Sequence, residues 1–438
     1  MTKIAMIGAG SVVFVKKLLA DMMAKPELRN ATIALHDINA ERLETAGMMA
    51  RWTAEQFNAK PIIEEHLDRR ACIAGADFVI NTVMIGGVNG MRTDFETAAR
   101  YGLKQTVADT VGIGGIMRGL RTIPFVLQLC EELAELAPNA YLLNYSNPMS
   151  MITWAVYRAF PNQKVIGLCH NVQHTAGDLA EYLGVEPERL SFDCAGINHM
   201  TWFLRLEVDG KDAYPALRRA AERPEIVAKD RVRFEIFKQF GWFVSESSRH
   251  FAEYVPYFLK SDSEIQRLQI PIALSIKLAE ERGERYALDR AHLLAGGGFE
   301  FEKSVEYGAE IIHSVVTNTP ILIYGNIENQ GHITNLPDGA CVEVPVVVDR
   351  NGFRGCYAGE LPPELAAHCA PHVFVQDLVG RAVIEQDPEL VYRAAMLDRH
   401  APSVLTIDQI RALVDELLAI HAPMLPLGLR PRQLQKSA

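Results

Sequence analysis

No apolar run in this 438-residue chain approaches the roughly 18 residues that a membrane-spanning helix needs, and nothing at its N-terminus reads as a cleavable leader. A cytoplasmic protein with no membrane partner is expected. Basic patches are missing too: 44 lysines and arginines face 54 aspartates and glutamates, and none of the basic residues cluster against the net charge of −10. That excludes a nucleic-acid surface and points to small-molecule partners. CxxC spacing is absent. The seven cysteines (72, 130, 169, 194, 341, 356 and 369) are scattered, and an odd number of them in a cytoplasmic chain reads as free thiols. There is no internal repeat and no low-complexity tract, and only the tail 426–438, rich in Pro, Arg, Lys and Gln, reads as frayed.

What is present begins at the first strand. Lys3–Ile7 has a short buried-strand pattern and runs into Gly8-Ala9-Gly10-Ser11, then into a helical stretch from Val12 to Met23. Strand, glycine turn and helix in this order form a dinucleotide-binding opening: Gly8 takes the tight turn, Gly10 admits a pyrophosphate, and the helix start offers free N–H groups. The third glycine of the usual fingerprint is replaced by Val13. A second strand, residues 31–36, ends on Asp37, whose carboxylate suits both ribose hydroxyls and repels a 2′-phosphate. The expected cofactor is NAD, held by Gly8, Ala9, Gly10, Ser11 and Asp37, with Asn81 added from a third strand.

Strands at 3–7, 31–36, 77–83, 140–144 and 164–168 alternate with helical spacing such as Leu120, Ile123, Leu127, Cys130 and Leu133. This predicts an α/β fold in two parts: a Rossmann-type doubly wound parallel sheet over 1–190 and an α+β domain over 191–438, as in lactate and malate dehydrogenases. The second part reads as strands at 190–197 and 201–207, helices at 229–240, 269–290 and 298–316, a strand pair at 319–324 and 341–348, and helices near 372–397 and 406–421.

Ligands of such sheets gather just beyond the strand ends. Cys169 follows one strand and His199 another, and a thiolate with an imidazole can hold a divalent ion while leaving positions open; either residue alone also fits a structural role. Asn147, in Asn144-Tyr145-Ser146-Asn147-Pro148, can orient a sugar hydroxyl or cap a helix. Asp109 opens the glycine-rich stretch 109–115, which suits either a loop closing over the substrate or a solvated connection. Tyr254 ends the polar and aromatic run 247–254; it is a base only if a nearby cation lowers its pKa, and otherwise a core residue.

The segments GAGSVVF, DTVGIGGIMRGLRTIP, NYSNPMS, GLCHNVQHTAG, GINHMTWF, ESSRHFAEY, IYGNIENQG and NLPDGACVEV occur in this order along nearly the whole chain. Together they resemble the family 4 glycoside hydrolases, NAD- and divalent-metal-dependent glycosidases, and most of all the α-galactosidase branch, which has a histidine after the metal cysteine. The resemblance implies hydride removal from C3 of an α-glycoside, C2 deprotonation, loss of the aglycone from C1, and addition of water before the C3 ketone is reduced again. It assigns Cys169 and His199 to Mn²⁺ or another divalent ion, Asn147 and Asn198 to the sugar, Tyr254 as base and His170 as acid. Asp109 and Asn171 join the substrate contacts, and a homodimer or homotetramer is expected. Two positions depart from the α-galactosidase pattern: Asn171 replaces the usual serine, and His174 stands where glycine is expected. Both fall near the sugar, so α-glucosides, hexuronides and other acidic sugars stay open, while His170 weighs against a 6-phosphate. The rivals are a plain NAD dehydrogenase and a non-catalytic NAD sensor, neither of which needs a metal pair.

Overall fold

A computed structural model describes residues 1–301 and 303–431. Its thirteen strands are β1 (Lys3–Ile7), β2 (Thr32–His36), β3 (Ile62–His66), β4 (Phe78–Asn81), β5 (Tyr141–Asn144), β6 (Lys164–Gly167), β7 (Leu190–Ile197), β8 (Met200–Val208), β9 (Lys211–Asp212), β10 (Phe243–Val244), β11 (Ile321–Glu328), β12 (Cys341–Asp349) and β13 (Gly352–Gly355). All belong to one sheet. The first six strands are parallel in the order 3-2-1-4-5-6, the doubly wound arrangement read from the sequence. The apolar residues of these strands point alternately into two separate hydrophobic clusters, so helices cover both faces.

The later strands do not form a separate sheet. β11 joins β6 antiparallel through Asn326 and Gly167, and β12 joins β7 through Glu343 and Gly196, so the α+β part continues the first sheet. Other differences have local causes. β3 went unread because its sequence, Ile-Ile-Glu-Glu-His, is that of a partly exposed, charged edge strand. The helix expected over 298–316 begins only at Gly308, after the glycines at 296–298. The single helix expected near 372–397 is two, Pro363–Glu385 and Pro388–Leu397, broken at Gln386 (φ +52°) and restarted by Asp387, whose side chain accepts from the Glu389 N–H. Residues 432–438 of the tail expected to fray lie outside the described residues. No helix among the described residues is long and apolar enough to cross a membrane.

Candidate active site

At the end of β1, Gly8 has φ +86°, and the N–H groups of Gly8 and Ala9 both donate to the His36 carbonyl at 3.0 and 2.9 Å. The Gly10 N–H donates to Asp37 Oδ2 at 2.8 Å, and Arg42 Nη1 donates to the Gly10 carbonyl at 3.0 Å. A Cβ at position 10 would overlap the Asp37 carboxylate and lie 2.6 Å from the Arg42 Cβ. The close approach that demands glycine here is therefore made by Asp37. Asp37 Oδ1 accepts from the Asn39 N–H at 2.9 Å, so two backbone donors aim the carboxylate, and Ser11 stays exposed at the helix start. Asn81 is fully buried at the end of β4 and donates to Asn144 Oδ1 of β5 at 2.9 Å, bracing adjacent strand ends.

A second group forms where three segments meet: the loop 105–110, the tight hairpin between β7 and β8, and the helix Ser248–Tyr254. The hairpin turns on Asn198 and His199 alone, with Ile197 paired to Met200, and His199 sits at φ +65°. Two-residue hairpin turns call for a residue at positive φ, and histidine is among the few non-glycine residues that adopt it with any frequency. Thr110 Oγ1 lies 3.3 Å from His199 Nδ1, 2.9 Å from His250 Nε2 and 2.6 Å from the Tyr254 hydroxyl. Asn147 Nδ2 donates to Asp109 Oδ2 at 2.7 Å, and His250 Nε2 lies 3.3 Å from Asp109 Oδ1. Asn147 is not a helix cap, because Pro148 precedes the helix Met149–Ala159 and the Asn147 side chain serves Asp109.

Beneath this group, buried Glu253 accepts from the Thr106, Val107 and Ala108 N–H groups at 2.6, 3.1 and 3.0 Å and pairs with His250 Nδ1 at 2.7 Å. One carboxylate thus shapes the loop bearing Asp109 and Thr110 and orients a histidine on the other side. The expected closing loop at 109–115 is instead a packed corner: Gly112–Gly115 are buried in the first turn of the helix Gly112–Leu136, and a Cβ on Gly115 would lie 2.5 Å from the Thr110 carbonyl carbon.

The charges follow from these contacts. Burial opposes ionisation of Asp109, but the His250 ring, Arg118 and His199 outweigh it and hold the carboxyl well below its usual range. Burial would also strip the proton from His250, yet Asp109, Glu253 and Glu246 push its pKa well above 6.5. His199 goes the other way: burial lowers it, despite Glu246 3.4 Å from Nδ1, leaving the neutral imidazole that ligates metals. Burial raises the Tyr254 phenol well above 10, and the Thr110 hydrogen bond offsets only part of this.

Asp109, His199 and His250 each offer a ligand atom within 4.8 Å of the others: a hard oxygen and a neutral imidazole that fit a divalent cation, with a second ring, His250, that ligates only after giving up its proton. Cys169 is outside this trio. Burial raises its thiol well above 9, with Glu343 and Glu246 adding to the effect, so only a cation would draw off its proton. The Asn198 carboxamide faces the Cys169 sulfur but makes no hydrogen bond of normal geometry, and both its polar atoms are buried without a partner. Asn171 donates to Glu246. His170 is set apart: half-exposed, it pairs with Glu306 Oε1 at 2.9 Å and meets the His174 ring edge-on at 4.9 Å.

Sequence reading assigned no role to Thr110, His250, Glu253, Glu246, Arg118 or Glu306. The first five lie in or beside motifs it singled out, and the i, i+3 spacing of His250 and Glu253 places both on one helix face. Glu306 stands in an irregular segment with no local pattern to mark it.

Residues 3–185 match the model of the family 4 glycosyl hydrolases, and residues 194–401 match that of the family 4 C-terminal domain. An α-galactosidase of Bacillus subtilis (strain 168) is 41% identical over 97% of this chain and 99% of its own. An α-galactosidase of Rhizobium meliloti (strain 1021) is 33% identical over 97% of this chain and 89% of its own. Among solved structures, a 6-phospho-α-glucosidase from gut microorganisms, in complex with NAD and Mn²⁺, superposes with a TM-score of 0.82 at 21% identity, covering 97% of this chain and 99% of that one.

Proposed function

The chain belongs to the family 4 glycosyl hydrolases, and from that premise we propose that it hydrolyses α-galactosides with NAD and a divalent cation, Mn²⁺ first among candidates. The single observation that carries this reading is the convergence of Asp109, His199 and His250 beside Tyr254, on a fold whose first β-α-β unit bears the dinucleotide turn. The two α-galactosidases support the sugar, and the NAD- and Mn²⁺-bound relative supports the cofactors.

When bound, NAD supplies a hydride acceptor for C3 of the sugar, and the cation supplies a Lewis acid for the oxygens beside C2. Gly8, Ala9, Gly10, Ser11 and Asp37 hold the dinucleotide, with Asn81 bracing the strand ends beneath it. His199 and Cys169 hold the metal, and Asp109 adds the ionised oxygen of the trio. Asn147, Asn171 and Asn198 contact the sugar. Tyr254 keeps its proton in the metal-free chain, since burial raises its pKa; with a cation nearby it becomes the base at C2. His170 is the acid: burial works against its proton, but Glu306 more than compensates and raises its pKa.

In this reading residues 1–190 carry the cofactor and bring Asp109 and Cys169 to the metal, 191–438 add His199 to it and form the substrate side and the assembly surface of a homodimer or homotetramer, and the enzyme works in the cytoplasm. The test is turnover of nitrophenyl α-galactoside, α-glucoside and α-galacturonide with and without NAD and Mn²⁺. Activity on the galactoside that needs both additives and yields no net NADH is expected. Undiminished turnover after both are removed would overturn the mechanism, and preference for the uronide would overturn the sugar assignment.

A further inference from the structure

One row of paired residues crosses the sheet: Asn144 of β5 with Gly167 of β6, Gly167 with Asn326 of β11, Asn326 with Glu343 of β12, and Glu343 with Gly196 of β7. Glu343 is fully buried, on the face of β12 opposite the valines 342, 344, 346 and 348 and on the same face as buried Cys341. A carboxyl in such surroundings is costly unless its oxygens are engaged. Both are. Oε1 accepts from Asn326 Nδ2 at 3.2 Å, and Oε2 accepts from the Thr201 hydroxyl. The same Asn326 nitrogen reaches the Gly167 carbonyl at 3.4 Å, and the Thr201 hydroxyl lies 3.1 Å from the Ile197 carbonyl.

Gly167 is two residues before Cys169, and Ile197 and Thr201 are two residues to either side of His199. β6 and β7 are not neighbours in the sheet, and each meets the intervening pair, β11 and β12, through one residue pair. Few backbone bonds therefore fix the strand end bearing Cys169 relative to the hairpin bearing His199. We infer that Glu343 is a positioning residue for the metal pair, its side chain tying the end of β6 to the β7–β8 hairpin through Asn326 and Thr201. The inference rests on the proposed assignment of Cys169 and His199 to the metal. Groups that hold ligands from behind commonly change metal affinity 10- to 100-fold when removed. Burial pushes the Glu343 carboxyl up to about 7, and a carboxamide at 343 can accept from Asn326 Nδ2 and donate to the Thr201 hydroxyl oxygen, whose own proton then serves the Ile197 carbonyl.

The experiment is Mn²⁺ titration of the full chain, followed by the electron paramagnetic resonance of free Mn²⁺, with NAD affinity and thermal unfolding measured in parallel. Glu343→Leu and Thr201→Val should weaken Mn²⁺ binding about 10- to 100-fold, with NAD affinity held within a few-fold, and Glu343→Gln should restore Mn²⁺ binding close to wild type. Thr201→Val removes one hydroxyl at constant shape and carries the test if Glu343→Leu does not fold. Wild-type Mn²⁺ affinity in both, with loss in Cys169→Ser, would overturn the positioning role alone. Loss in Glu343→Gln equal to that in Glu343→Leu would overturn the hydrogen-bonded tie. Full Mn²⁺ affinity in Cys169→Ser would overturn the metal assignment and this inference with it.

Discussion

At the turn after β1, Gly8, Ala9 and Gly10 are held through backbone groups by the neighbouring residues His36 and Asp37, whereas at the candidate centre one threonine hydroxyl meets three rings from two other segments. The turn depends on main-chain donors and on the lack of a side chain at position 10, so a substitution there acts by crowding. The centre depends on buried polar side chains that satisfy one another, so a substitution there strands a partner or removes a reacting group. The two ends should therefore fail separately.

The largest effect should come from emptying both ends together. Dialysis against chelator with removal of NAD should abolish hydrolysis, and either additive alone should fail to restore it; recovery with NAD alone would mean that His199, Cys169 and Asp109 hold no catalytic ion.

Tyr254→Phe probes the centre only. It should lower turnover by about 10² to 10⁴, the usual contribution of a positioned base, while NAD and Mn²⁺ affinities hold within a few-fold. Wild-type product formed in D₂O should carry deuterium at C2. A product without label would exclude proton removal at C2, and with it this role for Tyr254.

Gly10→Ala probes the turn. The added Cβ meets Asp37 and Arg42, and overpacking of this kind costs about 1–3 kcal/mol. Weaker NAD binding and a lower melting temperature are expected, with Mn²⁺ affinity unchanged. If Mn²⁺ binding fell in step, the two ends would be one coupled unit.

The smallest effect is a slope in stability with pH. In the metal-free chain the folded state raises the His250 pKa well above its ordinary 6.5, because Asp109, Glu253 and Glu246 outweigh burial. That stabilisation is complete below pH 6.5 and fades as the pH rises through the raised value. Urea unfolding should show declining stability on the alkaline side, and His250→Gln should flatten the decline; an unchanged slope in the variant would assign it to other groups.

How much of this was legible beforehand follows from the distance along the chain over which each feature is built. The parallel half was readable because apolar strands, glycine turns and helical spacing repeat over a few residues each. The edge strand β3 was not, since its exposed charges hide the pattern, and neither was the continuation of the sheet through β11 and β12, which rests on single residue pairs between distant strands.

By itself the sequence determined the glycine turn after β1, the acid at the end of β2 and the residue types of the candidate centre, because local backbone geometry follows from consecutive residues. Only the tertiary structure decided that Thr110 would meet His199, His250 and Tyr254 across 89, 140 and 144 residues, and that Asp109 and His250 would stand with His199 while Cys169 lies outside that trio. The physical reason is that these contacts join buried polar groups that find partners only after the chain has closed around them, and no local pattern records which partner each will find.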